Sequence, residues 1–163
     1  MKGIELVIDQ IVTMLQADFP AKAAALNAEY GDAYTVVAPA NADYYTELIN
    51  PLVPDFAYPA IVVAAQTDVT VDEDLAHAGG EWDHEVLVDV LIRAQDAHEL
   101  SRRLMRTVRA VKELMMRQAP LACGEVTRAV TDWRQPLLTD ENSGDLLQDV
   151  PTAFTIHTYE EVT

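Results

Sequence analysis

The clearest pattern in the chain is a strict alternation of apolar and polar positions between Trp82 and Arg93. Successive side chains of a β-strand point to opposite faces, so this segment is predicted to be a strand with one buried face. The buried face would carry Trp82, His84, Val86, Val88, Val90 and Ile92. The half-solvated face would carry Asp83, Glu85, Leu87, Asp89, Leu91 and Arg93.

Helical spacing of apolar residues predicts two N-terminal helices. Between Ile4 and Asp18 the apolar residues recur every three or four positions and form one face. Phe19-Pro20 is expected to interrupt this helix, and an Ala-rich second helix then runs from about Pro20 to Tyr30, just before Gly31.

A longer helix is predicted over residues 96–118. Asp96 is the expected N-cap, Glu99 completes a capping-box pattern, and Ala119-Pro120 ends the helix. At roughly 22 residues it would be about 33 Å long. Its apolar stripe consists of Ala97, Leu100, Leu104, Val108, Val111 and Met115.

Three further strands are predicted, at residues 58–65, 125–133 and 151–159. Repeated prolines indicate that residues 31–58 are irregular but packed, with a short helix at 43–49.

Two acidic segments separate these elements. Residues 67–80 are predicted to be a mobile acidic loop, and residues 139–149 a second acidic turn. The order of elements predicts a single α+β domain over residues 1–163. It would be an antiparallel sheet of about four strands, with the long helix and the N-terminal helices on one face.

The composition narrows the function classes. Half of the 163 residues are apolar, and the net charge is −16, which excludes a phosphate-binding surface over most of the molecule. Cys123 is the only cysteine, which excludes an intramolecular disulfide and a cysteine-rich zinc site. No apolar run is long enough to span a membrane, and the acidic Met1–Glu5 start is unlike a signal peptide. We therefore expect a protein made in the cytoplasm.

Candidate catalytic chemistry is weak. His77, His84 and a nearby carboxylate are a conceivable metal site, but their spacing matches no ligand signature. On a strand, Asp83 and Glu85 would also point away from His84. We predict no catalytic, cofactor-binding or metal-binding residues.

Positive charge is concentrated in the long helix. Residues 93–117 hold seven basic and three acidic residues, so the rest of the chain carries −20. Arg102, Arg106 and Arg109 share one side of the helix. Three interpretations stay open: pairing with acids of the same fold, contact with nucleic acid, or self-association of a basic strip with the acidic surface of another copy, which closes into a ring.

The order of these segments resembles the tail terminator (tail completion) proteins of long-tailed bacteriophages. Tyr58-Pro59-Ala60-Ile61-Val62-Val63 opens a sheet, an acidic loop follows, and the long strand 82–92 leads through Arg93-Ala94-Gln95-Asp96 into the Arg-rich helix. Two short strands then finish the chain, so the resemblance covers about residues 51–159.

The resemblance implies a non-enzymatic virion assembly protein without a cofactor. Such subunits form a hexameric ring on the last ring of the tail tube, end tube polymerisation and present the docking surface for the head connector. The implied partners are further copies of the chain, the tail tube protein and head–tail connector proteins, and DNA would pass through without specific binding. The implied location is the neck end of the virion tail.

The candidate subunit or partner contacts are Arg102, Arg106, Arg109, Asp68, Asp72, Glu73 and Asp74. Two alternatives remain. One is a head-completion or connector adaptor at the head–tail junction, which also forms rings. The other is a small metal-dependent enzyme that uses His77 and His84.

Overall fold

The elements follow one another in an order close to the predicted one. A computed structural model describes residues 4–51, 53, 55–66, 81–117 and 124–159, apart from the side chains of 81, 82 and 159. The helices are α1 (Ile4–Tyr30), a 3-10 turn (Asn41–Asp43) and α2 (Ala97–Met115). The strands are β1 (Tyr44–Tyr45), β2 (Ala60–Ala65), β3 (Glu81–Ala94), β4 (Gly124–Thr131), β5 (Leu138–Thr139) and β6 (Leu146–Tyr159).

The strands form one mixed sheet in the order β1-β2-β3-β6-β4, with β5 also paired to β6. Only β1 is parallel to its neighbour, and every other described pair is antiparallel. The sheet therefore has six strands instead of about four, because β1 and β5 are two-residue strands with no detectable periodicity. The α+β class agrees with the prediction.

The main core lies between the sheet and the two helices. Buried residues of both helices join one cluster with alternate residues of β2, β3 and β6, and Phe19 of α1 and Phe154 of β6 are its largest fully buried members. On β3 the predicted buried residues Val86, Val88 and Val90 are all in this cluster. The alternation of β3 thus identified the sheet face that the helices cover.

Residues Ile4–Tyr30 form one continuous helix, so the prediction of two N-terminal helices is wrong. Pro20 lies inside α1 and does not end it. The apolar stripe continues on both sides of the proline, with Phe19, Ala23 and Leu26 all buried. Pro20 itself is exposed, and the burial of its neighbours offsets the hydrogen bond that its missing N–H cannot make.

Several other predicted boundaries are corrected. The segment predicted as a short helix at 43–49 contains β1. Strand β4 ends at Thr131, and β6 begins at Leu146, which limits the second acidic turn to residues 140–145. Helix α2 ends at Met115, three residues before the predicted end. No helix in the described part of the chain is long and apolar enough to cross a membrane.

The opposite face of the sheet has only a small cover. Ala60, Val62, Ala64 and Leu91 form a second buried cluster there, under side chains from the segment between β1 and β2. This cover reaches β2 and one end of β3. The rest of that face, on β3, β6 and β4, has no described helix over it.

Candidate subunit interface

Arg106 of α2 is buried and holds the chain that follows α1. Its guanidinium donates two parallel hydrogen bonds of 2.6 Å to the carboxylate of Asp32 and a third hydrogen bond to the carbonyl of Tyr34. It also lies over the Tyr30 ring, 3.9 Å from the centroid. The hydrogen bonds from Arg106 lower the pKa of Asp32 to about 2. With only 4% of its surface exposed, Arg106 performs a task inside its own subunit.

Arg109 joins α2 to the last turn of α1. It forms hydrogen bonds with Glu113, at 2.6 Å, and with Glu29 and the Tyr30 hydroxyl, each at 2.9 Å. These bonds, those of Glu29 foremost, raise the pKa of Arg109. Glu113 in turn pairs with Lys22 of α1. The two helices are therefore held together by alternating charges beside their apolar contact.

Arg102 differs from both. It is exposed, and its side chain has no hydrogen bond or salt bridge within the described part of the chain. The solvent side of α2 also carries Met105, which is 47% exposed, and Met116, which is 53% exposed. Lys112 lies between them at helical spacing. We call Arg102, Met105, Lys112 and Met116 the outer stripe of α2.

On the far side of the sheet, three apolar residues form a row across three strands. Leu87 of β3 is opposite Ala153 of β6, and Ala153 is opposite Val130 of β4. Their chain neighbours Val86, Phe154 and Ala129 pack in the main core, so the row points away from the helices. Val130 is 48% exposed.

A pair of carboxyl groups lies beside this row. Asp89 is opposite Pro151 and Asp149 is opposite Leu91, so the two side chains are diagonal neighbours on the same face. Burial, and then the nearby charge and hydrogen bond of Asp149, raise the pKa of Asp89 to about 7. A hydrogen bond between two carboxyl groups requires that one of them carries a proton. The Oδ1 atom of Asp89 is buried and has no hydrogen-bond partner among the described residues. We call Leu87, Val130, Ala153, Glu85, Asp89 and Asp149 the helix-free face.

Arg93 fixes the second acidic turn against the sheet. Its Nε donates a 2.6 Å hydrogen bond to Asp145, and its Nη2 donates one of 3.0 Å to Ser143. Asp140, at the start of the turn, accepts hydrogen bonds from the backbone N–H groups of Asn142 and Ser143, which lower its pKa. This turn is folded on itself and presents its acids around one arginine.

The structure thus distributes the predicted contact residues unequally. Arg106 and Arg109 have intrachain carboxylate partners, whereas Arg102 is exposed. Asp68, Asp72, Glu73 and Asp74 lie outside the described residues, as do His77 and Cys123.

Of the two histidines of the hypothetical metal site, His84 belongs to the described residues and His77 does not. His84 is opposite Ile156 of the core, and burial lowers its pKa. Asp83 is on the other face, where it contacts His157 at 2.7 Å. Among the described residues, no three histidine, cysteine or acidic side chains come together in a group that could hold a metal ion.

Sequence reasoning missed the helix-free face as a unit. The alternation of β3 placed Leu87 and Asp89 on the outward face, which was the available signal. The sequence predicts a turn at Asp149, and no nearby sequence pattern indicates that Asp149 or Val130 lies beside β3.

Comparisons with known proteins give this chain no family. No protein-family model matches it, and a search of curated proteins finds no match to its sequence.

Proposed function

We propose that this protein is a structural subunit of a phage tail terminator, which caps the tail tube as a ring, ends tube polymerisation and offers a docking surface to the head. The observation that carries the proposal is the order of elements behind the resemblance. Strand β2 directly follows Tyr58-Pro59, and the long β3 leads through Arg93–Asp96 into the Arg-rich α2. Two strands, β4 and β6, then finish the chain as expected, although β6 is long where a short strand was expected. The proposed location is the neck end of the virion tail.

The surface charge suits a ring through which DNA passes. A chain with a net charge of −16 repels phosphates, so a channel lined by such subunits would let DNA slide without specific binding. Five arginines of residues 93–117 that could hold phosphates are already paired with carboxylates: Arg93, Arg103, Arg106, Arg109 and Arg117. This pairing favours a structural role over nucleic-acid recognition.

Tube assembly in the presence of the protein tests the proposal. The tail tube protein of the same genome is polymerised alone, with the purified protein, or with an unrelated acidic protein of similar size. We expect shorter tubes with a ring at one end only in the second sample, seen by negative-stain electron microscopy. Unchanged tube length together with no co-sedimentation would refute the proposal.

The same preparation separates the proposal from the connector alternative. Pull-down against the tail tube protein and against portal-side connector proteins is compared at equal concentrations. Binding to the connector proteins without binding to the tube would replace the terminator with a head-completion adaptor.

A further inference from the structure

Two outward surfaces of the subunit have no other described helix or strand packed over them, and they lie on opposite sides. The helix-free face is one side of the sheet, while α1 and α2 pack on the other side. The outer stripe of α2 points away from the sheet, because the opposite side of α2 carries Leu100, Leu104, Val108 and Val111 into the core. The two surfaces are therefore separated by the whole thickness of a two-layer subunit.

The two surfaces are complementary in chemistry. The helix-free face combines the apolar row of Leu87, Ala153 and Val130 with the acids Glu85, Asp89 and Asp149, and it also carries the exposed Arg128, opposite Thr155. The outer stripe combines two half-exposed methionines with Arg102 and Lys112. Met side chains are flexible and fill irregular apolar surfaces, and cations beside them would face the acids.

We infer that the outer stripe of α2 of one copy seats on the helix-free face of the next copy. This inference rests on the proposed function and specifies the contact by which the ring closes. Because two different surfaces meet, the contact is heterologous, and repetition of a heterologous contact with a closing rotation forms a ring. The occupant is a second copy since the same chain supplies both halves of a complementary pair, while a nucleic acid would be repelled by the acidic face.

Cysteine crosslinking tests the inference. In a Cys123→Ser background, Met105→Cys is placed on the outer stripe and Val130→Cys on the helix-free face, singly and together. Each variant is oxidised alone and in the presence of the tail tube protein, and the products are separated by non-reducing electrophoresis.

The double variant is expected to give a ladder of crosslinked species that ends at a closed ring. Each single variant is expected to stay uncrosslinked, and an equal mixture of the two single variants is expected to give a dimer and nothing larger. Crosslinking of either single variant alone would mean that like surfaces meet, and it would overturn the inference.

Charge reversal provides a test that does not depend on oxidation. Arg102→Glu and Glu85→Arg are each expected to raise the concentration for half-assembly about tenfold, and the double variant should return within about threefold of the parent. Sedimentation velocity measures the change, and circular dichroism verifies that each variant is folded. Failure of the double variant to recover would contradict the contact between the two surfaces.

Failure of the inference is distinguishable from failure of the proposed function. A protein that forms rings or caps tubes without the heterologous crosslink would retain the function and lose this interface. A protein that neither self-associates nor binds the tube would refute both.

Discussion

Substitution of Asp89 by asparagine gives the sharpest test of the described sheet face. In the folded chain, burial and the neighbouring Asp149 raise the pKa of Asp89 from 3.8 to about 7. The folded pKa therefore lies above the unfolded one, so ionisation of Asp89 opposes folding. Its protonated form is fully compatible with the fold below pH 4. Between pH 4 and 7 the free energy of unfolding should fall, and above pH 7 this contribution is constant.

The magnitude follows from the size of the shift. A rise of about three pH units corresponds to about 4 kcal/mol, since each unit is worth about 1.4 kcal/mol. Asp89 keeps part of its surface in water, and the charge is shared with Asp149, so we expect about 2 kcal/mol. Asparagine has nearly the same shape and no charge, and its amide can donate to Asp149. Asp89→Asn should therefore stabilise the protein by about 2 kcal/mol at pH 8 and by nearly nothing at pH 4.

Urea unfolding followed by circular dichroism, at half-unit steps from pH 4 to 8, measures this difference. Working at low protein concentration keeps self-association out of the measurement. The matched control is Glu85→Gln, which removes one negative charge from the same strand and the same face. An equal gain in both variants would show that net charge is responsible. Parallel pH profiles of Asp89→Asn and the parent would refute a raised pKa at Asp89.

Three further substitutions test the packing. Arg106→Met should lower the free energy of unfolding by about 2 kcal/mol, because the Tyr34 carbonyl and Asp32 lose their hydrogen-bond donor. The matched control is Arg102→Met at an exposed position of the same helix, which should change the free energy of unfolding by less than about 0.5 kcal/mol in the same urea assay. Gly124→Ala should lower the melting temperature by several degrees, since its Cβ would clash with the backbone carbonyl of His157; an unchanged melting temperature would contradict this geometry. Pro20→Ala should raise the free energy of unfolding by about 1 kcal/mol or more, because alanine restores a backbone hydrogen-bond donor inside α1. A lower melting temperature of this variant in calorimetry would contradict the reasoning and show that the proline stabilises the fold.

The periodic spacing of apolar residues predicted those elements in which one continuous segment packs one face against the core. The alternation of β3 and the apolar stripe of α2 each extend over many residues and face one core, so their type and buried side followed from the sequence. The break expected at Pro20 failed because tertiary burial on both sides of the proline outweighs one lost hydrogen bond. The predicted start of β6 was five residues too late, because the polar turn residues 140–145 directly precede the strand and the turn was extended into it.

The candidate site was less predictable because its contacts join distant segments. Arg106 and Asp32 are separated by 74 positions, and only the return of α2 along α1 brings them together. Asp89 and Asp149 are neighbours solely through the register of β3 and β6. No local pattern specifies such a register, which the turn geometry and the whole buried face determine together.

The charge asymmetry that first indicated a ring has an explanation within the fold. Helix α1 has no basic residue in its last turn, yet Glu29 lies there and Asp32 follows directly, at the end where the helix dipole is already negative. Arg106 and Arg109 of α2 supply the missing positive charge to both carboxylates. Two arginines of the basic segment are therefore neutralised by carboxylates of the same subunit, and they do not need a second copy to balance their charge. The surface for which we propose a second copy is instead the helix-free face, where Leu87, Ala153 and Val130 form an apolar row that no described helix covers.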